Sequence, residues 1–275
     1  MKYFIFILVV CSSLWTKASH LVGGEITYKH VINNTYNVFV TLYRDCDDCK
    51  IGGTGGGSST SNCSDLDEVY IRTLSQNCGN KNVGTISLDK LGFEDITQIC
   101  TTSKSKCKSG STYSYGFEAH HYKGTVNFNN YTTYSGCAFQ IFFHKSERNS
   151  SMNTFTTEED DIYNYVYINP WLEKHDSPKL LSNPKVVFTQ NQPTFLNEYN
   201  GDSTNDSLSF KWKTPLKAYN TKLLYKSGYN QSNFLTTHCN GCTPNPVAYP
   251  PKGLYLNSDI GNIVLTPTSA NQIST

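Results

Sequence analysis

The chain has 275 residues, with 23 Lys and Arg against 22 Asp and Glu, so its net charge is +1, and charged residues make up 16% of it. That balance gives no electrostatic footprint for nucleic acid or for an anionic membrane surface. Nineteen tyrosines and fourteen phenylalanines against six alanines favour strands and turns over helices, and the length suits one large or two ordinary β domains.

Met1-Lys2 is a positive start, Phe4 to Trp15 an apolar run, and Thr16-Lys-Ala18 a small-residue cleavage site. Together they read as a secretory signal peptide over residues 1–18, cut between Ala18 and Ser19. The run is shorter than the ~20 apolar residues a spanning helix needs, so no membrane insertion is expected after cleavage. Cys11 lies inside the run behind Val10, where a lipobox carries a small residue, which argues against a lipoprotein.

Glu25 to Ile32 and Thr35 to Cys46 read as a hairpin closed by Asn33-Asn34. In the second strand Tyr36, Val38, Val40 and Leu42 fall on one side, and Asn37, Phe39, Thr41 and Tyr43 on the other. The Gly/Ser-rich stretch before Cys63 lacks the Lys-Ser or Lys-Thr of a phosphate loop and reads as a surface loop tethered by Cys49 and Cys63. Leu66 to Leu74 and Val83 to Leu88 are further strands, and residues 95–112 a polar loop closed by a disulfide, with Cys100 and Cys107 inside it. Tyr113 to Glu118, Tyr122 to Phe128 and Ala138 to His144 follow as strands, with turns at Asn129-Asn130 and Ser135-Gly136. His120 and His121, adjacent on a strand, point to opposite faces and do not share a metal. Glu158 to Asp161 reads as a solvated acidic loop that could alternatively gather calcium.

Tyr163 to Ile168 closes the first β-sandwich, residues 19–169, and the prolines of 170–185 mark a boundary. Val186 to Thr189, Thr194 to Tyr199, Ser207 to Lys213 and Gly261 to Thr266 then predict an immunoglobulin-like domain over 185–275, incomplete at its carboxy end. The expected fold is therefore all-β, two consecutive antiparallel β-sandwich domains after a signal peptide.

Nine cysteines follow the leader: Cys46, Cys49, Cys63, Cys78, Cys100, Cys107, Cys137, Cys239 and Cys242. In an exported chain they are disulfide candidates, with one left over. Cys46-Asp-Asp-Cys49 and Cys239-Asn-Gly-Cys242 have zinc-ribbon spacing but lie far apart, and neither precedes a helical pattern as a thioredoxin-like pair would.

The stretch LVGGEITY from Leu21, followed by YNVFVTLYRDC ending at Cys46, resembles the amino terminus of large secreted surface proteins of Bacteroidetes associated with gliding motility. Phe142 to Asn149 resembles a segment of that family, with Lys145-Ser146-Glu147 standing where relatives carry cysteines. Asp202 to Phe210 is similar to the family's Asp-rich turn with Thr204 and Asn205 substituted, and Gly253 to Pro267 to the strand, glycine turn and strand after it. The resemblance implies a cadherin-like or polycystic-kidney-disease-like carboxy-terminal module. It also implies export by the type IX route under a sorting domain outside these residues, and a non-enzymatic role in cell-surface adhesion. It makes Asp202 and Asp206 the candidate calcium ligands; the plainer reading is a turn in which they bond their own backbone.

No catalytic residue is assigned. Leu21-Val-Gly-Gly24 and Gly201-Asp-Ser203 look like trypsin-like protease segments, but Ser203 is followed by Thr204-Asn205, and no His stands in the matching setting. Gly-x-Ser-x-Gly and His-Glu-x-x-His are absent, while paired carboxylates from distant strands would leave no spacing signature. The expected partners are extracellular or cell-surface ligands, glycans among them. A carbohydrate-binding module is the alternative, to be supported by a row of aromatics on one flat sheet face, and a secreted hydrolase would need a cleft.

Overall fold

The structure is a computed structural model. It describes residues 21–46, 65–74, 76–146, 148–149, 152–156, 161–172, 174–179, 183–197, 206–270, 272 and 274. The signal-peptide junction Ala18/Ser19, Cys49, Cys63, Ser203 and Asp202 lie outside them.

The predicted hairpin is the first element: β1 (Leu21–Ile32) and β2 (Thr35–Asp45) pair antiparallel, from Ile32↔Thr35 to Leu21↔Arg44. Asn33 takes the left-handed conformation, φ 52°, that a two-residue hairpin loop needs and that Asn tolerates. β2 pairs on its other edge with β6 (Phe117–Asn127), which pairs with β5 (Asp89–Asp95), so the first sheet runs β1-β2-β6-β5. Tyr113 to Glu118 and Tyr122 to Phe128, read as two strands, merge into β6, because Glu118 to Lys123 keep their pairing to β2 and β5 through both histidines. The Asn129-Asn130 turn is instead part of a 3-10 segment, Phe128–Tyr134, started by Asn127, whose side chain accepts the Asn129 N–H.

The second sheet contains β3 (Glu68–Thr73), β4 (Asn82–Ser87), β7 (Phe139–Lys145), β8 (Ile162–Ile168), β10 (Leu216–Ala218) and β11 (Thr221–Lys222). Its order is β11-β10-β8-β7-β3-β4. The β10–β11 hairpin, from the segment beyond residue 185, joins this sheet through Leu216↔Tyr163. A third, short sheet runs β12-β13-β9 from β12 (Tyr255–Leu256), β13 (Asn262–Leu265) and β9 (Thr194–Asn197). Val186–Thr189 and Ser207–Lys213 form no strands. The Val186 amide bonds the Gln98 side chain, and the Phe210 amide the Ser258 carbonyl, where strands would have ladders.

The first two sheets pack face to face as a sandwich. Tyr36, Val38, Val40 and Leu42 of β2, none more than 1% exposed, meet Val69, Ile71, Phe139, Ile141 and Phe143 from the opposite sheet. Each such side chain contributes roughly 1.5–3 kcal/mol by leaving water. Two glycines let the layers approach. A Cβ at Gly24 would lie 2.9 Å from the Thr41 carbonyl and 3.0 Å from the Phe143 ring, and one at Gly124 2.6 Å from the Ser87 carbonyl.

Disulfides join Cys46–Cys107, Cys78–Cys137 and Cys239–Cys242, a content that fits an oxidising extracellular environment. Cys100 is exposed and free, so the 95–112 loop is not closed on itself as expected. Backbone bonds explain the different partner: the Cys46 amide bonds the Gly116 carbonyl and the Lys106 amide the Tyr115 carbonyl, which brings Cys107 to Cys46. Among the described residues no helix is long and apolar enough to cross a membrane.

Candidate functional site: an aromatic face on the second sheet

Strand alternation turns Val69, Ile71, Phe139, Ile141 and Phe143 inward, and therefore turns Tyr70, Arg72, Gln140, Phe142, Tyr163, Tyr165 and Tyr167 outward. Register aligns Tyr70, Phe142 and Tyr165 in one row across β3, β7 and β8, and Arg72, Gln140 and Tyr167 in the next. The rings touch in sequence: Tyr70–Phe142 are stacked at 5.4 Å, Phe142–Tyr163 at 4.9 Å, and Tyr165–Tyr167 are tilted at 4.9 Å. Phe142 and Tyr163 are buried and form the floor, whereas Tyr167 is 52% exposed and Tyr70, Tyr165 and Tyr219 are half-buried. The β10–β11 hairpin brings Tyr219 to one end, where its hydroxyl donates to Asn80 Oδ1 at 3.0 Å.

Polar groups fix the rings. The Tyr163 hydroxyl donates to Gln140 Oε1 at 2.6 Å, and Lys213 Nζ donates to the Tyr165 hydroxyl at 2.7 Å. Burial pushes the Tyr165 phenol up, but hydrogen bonds from Lys213 and Tyr167, with the charges of Lys213 and Lys211, hold it below its ordinary value. Tyr167 is pushed up to about 12 by burial and by its bond with Tyr165. Burial raises Tyr163 despite the nearby Arg72 charge. The Arg72 guanidinium lies 3.9 Å from the Tyr219 ring centre and 5.6 Å from that of Phe142. A flat, partly exposed set of rings beside fixed donors can stack on the apolar faces of planar or cyclic ligands and hydrogen-bond their edges.

The outer face of the first sheet differs. Tyr43 donates to Glu25 Oε1 at 3.2 Å, Thr41 Oγ1 is 3.1 Å from His121 Nδ1, and His121 Nε2 is 3.6 Å from Glu94. Burial raises Glu25, opposed by the Tyr43 and Thr41 hydrogen bonds and by the charges of Lys179 and His121. A hydroxyl beside an imidazole invites a nucleophile reading. Yet β2 is paired on both edges, so the amides around Thr41 belong to ladders rather than to an oxyanion hole. His120 lies on the opposite face from His121, as expected for neighbours on a strand, stacked on Phe93 and 3.0 Å from Glu118 Oε2.

Two of the stretches that carry the family resemblance meet at one corner. Asn149 donates through its side chain to Asp45 and through its amide to the Leu21 carbonyl at 2.7 Å, and Arg148 donates to the carbonyls of Asp161 and Leu216. These bonds tie chain segments together.

Of the candidate calcium ligands Asp206 is exposed, while its proposed companion Asp202 is outside the described residues. Asp161, from the acidic loop, lies 2.7 Å from His144 Nε2. Among the described residues the grouping with metal-ligand spacing is Cys46, Cys107 and Glu118, but the two sulfurs are joined in a disulfide and offer no thiolate. Further along, Phe210, Trp212, Leu254, Tyr255 and Leu256 line an open cleft of about 450 Å³.

The aromatic face is not among the features singled out from the sequence, where Tyr163 to Ile168 reads only as a closing strand. Tyr163, Tyr165 and Tyr167 at every second position are a legible stripe, whereas Arg72, Lys213 and Tyr219 join it only through the fold. Comparison with protein-family models, with curated proteins and with solved structures finds no match to this chain.

Proposed function

We propose that the chain is an exported, non-enzymatic binding protein of the adhesion type, which engages glycans at cell surfaces or in the extracellular medium through the aromatic face of the second sheet. The observation that carries this reading is the row Tyr70, Phe142, Tyr163, Tyr165 and Tyr167 with Tyr219 at its end, on one sheet face. Tyrosines held on a rigid sheet offer stacking area at low entropic cost, and the hydroxyls of the exposed rings offer donors and acceptors to sugar hydroxyls. The leader pattern and the disulfides support an extracellular site of action. Resemblance to gliding-associated surface proteins supports adhesion, with type IX export, as the setting.

The test is retention of the purified chain on immobilised polysaccharides, comparing the native protein with a Tyr165→Ala/Tyr167→Ala double variant. We expect at least about tenfold weaker binding from the variant, the loss expected when central aromatic anchors are removed. Equal binding by the two proteins would dismiss this face, and no retention of the native chain would dismiss glycans. Fractionation of the native organism with external protease shaving tests location separately: a surface-bound band removed by shaving is expected.

A further inference from the structure

We propose that the glycan taken by this face is anionic, its carboxylate or sulfate groups being received by Arg72 and Lys213. The inference rests on the glycan-binding reading above and adds the ligand's charge. It starts from an imbalance. The whole chain is nearly neutral, yet this face is not. Arg72 makes no ion pair among the described residues, and its Nε is buried without a hydrogen-bond partner. The guanidinium is held instead by rings, over Tyr219 at 3.9 Å and over Phe142 at 5.6 Å. Stacking occupies the flat faces of a guanidinium and leaves its in-plane N–H groups to grip a planar or tetrahedral anion.

Lys213 repeats the arrangement on the other side of β8. Its ammonium lies 5.2 Å from the Tyr165 ring centre and bonds that residue's hydroxyl, with no carboxylate in ion-pair range among the described residues. Exposed Lys211 adds to the positive field felt by Tyr165. The acidic groups nearby are engaged elsewhere: Glu68 bonds the Tyr70 hydroxyl, and Asp161 lies against His144. Rings flanked by cations that lack acidic partners suit a chain of sugar rings bearing acidic substituents. A neutral glycan would use the rings and leave both cations unanswered. Carboxylate and sulfate present the same chemistry to these residues, so polyuronates and sulfated polysaccharides are both admissible sources.

The test measures affinity of the full chain for polygalacturonate, dextran sulfate and neutral dextran, each at low and at moderate salt. Binding to one or both acidic polymers at least about tenfold tighter than to dextran is expected, weakening as salt screens the exposed cations. Lys213→Met and Arg72→Gln should each weaken binding to the acidic polymers about tenfold and so remove most of that preference, with a much smaller loss on dextran, whereas Tyr167→Ala should lower binding to all three alike. Lys213 is exposed, so its variant reports even if loss of the stacked Arg72 perturbs folding. Equal affinity for dextran and the acidic polymers would overturn the proposal and leave glycan binding standing. Binding to none of the three, together with no retention on the immobilised panel, would overturn both. Salt-sensitive binding to acidic polymers that Lys213→Met and Arg72→Gln leave untouched would also overturn it, as attraction outside this face.

Discussion

The sandwich has two outer faces, and they are finished differently. On the first sheet the polar groups are turned onto one another, Glu25 to Tyr43 and Thr41 to His121 to Glu94. The free edge of β1 is also occupied: Ser177 bonds the Tyr28 amide and carbonyl, and Asp176 the His30 amide. Asn183 reaches Glu94 on the far strand. On the second sheet the rings face outward and two cations lie over them without acidic partners among the described residues. The same strand alternation built both faces. One is closed by internal pairing, and the other presents rings and cations without such closure among the described residues.

Four measurements would break or sharpen that contrast. Both faces depend on one core, so Phe143→Ala, at a site with no exposure, should cost about 3–5 kcal/mol in urea unfolding and loosen both sheets together. A smaller loss would mean that the layers are not packed as described. Ser177→Ala acts on one side only. It removes the acceptor 2.8 Å from the buried Tyr28 amide and should cost about 1–3 kcal/mol, with faster hydrogen exchange confined to the β1 edge. Exchange that rises equally on β8 would deny that the edge cap is local.

Glu25 gives a pH-dependent effect smaller than these. Its folded value is raised, so its contribution to stability is full below the ordinary glutamate value and is lost as pH rises through the raised value. Glu25→Gln should therefore match the native protein in acid and exceed it near neutrality; parallel stability curves would remove burial as the dominant influence. Smallest is Tyr167→Ala, where half-exposure predicts a stability change within about 0.5 kcal/mol despite the expected loss of binding. A larger loss of stability would make this ring a structural part rather than a free one.

Much of the fold was legible where the signal is local. The Asn33-Asn34 turn and the alternation of Tyr36 to Leu42 specify a hairpin with two packable faces, whereas which face meets the second sheet emerges only in the fold. Cysteine pairing was not legible, since Cys46 and Cys107 are 61 residues apart and meet because of backbone bonds to residues 115 and 116. Equally hidden was the merger of two expected strands into β6, since a pair of histidines reads as polar interruption until flanking strands pair with it. At the candidate site the Tyr163, Tyr165 and Tyr167 stripe is periodic and readable. Its charge is not, because Arg72 and Lys213 are brought there by register and by a segment crossing from beyond residue 185.

That crossing also bears on how the edge of the second sheet is finished. Until β10 and β11 have been synthesised and docked, β8 is an outer strand with an unoccupied row of amides and carbonyls. Such a row is a template for another chain. The hairpin that places Tyr219 closes that row at one point, Leu216 against Tyr163, so most of the β8 edge keeps its character after the hairpin has docked.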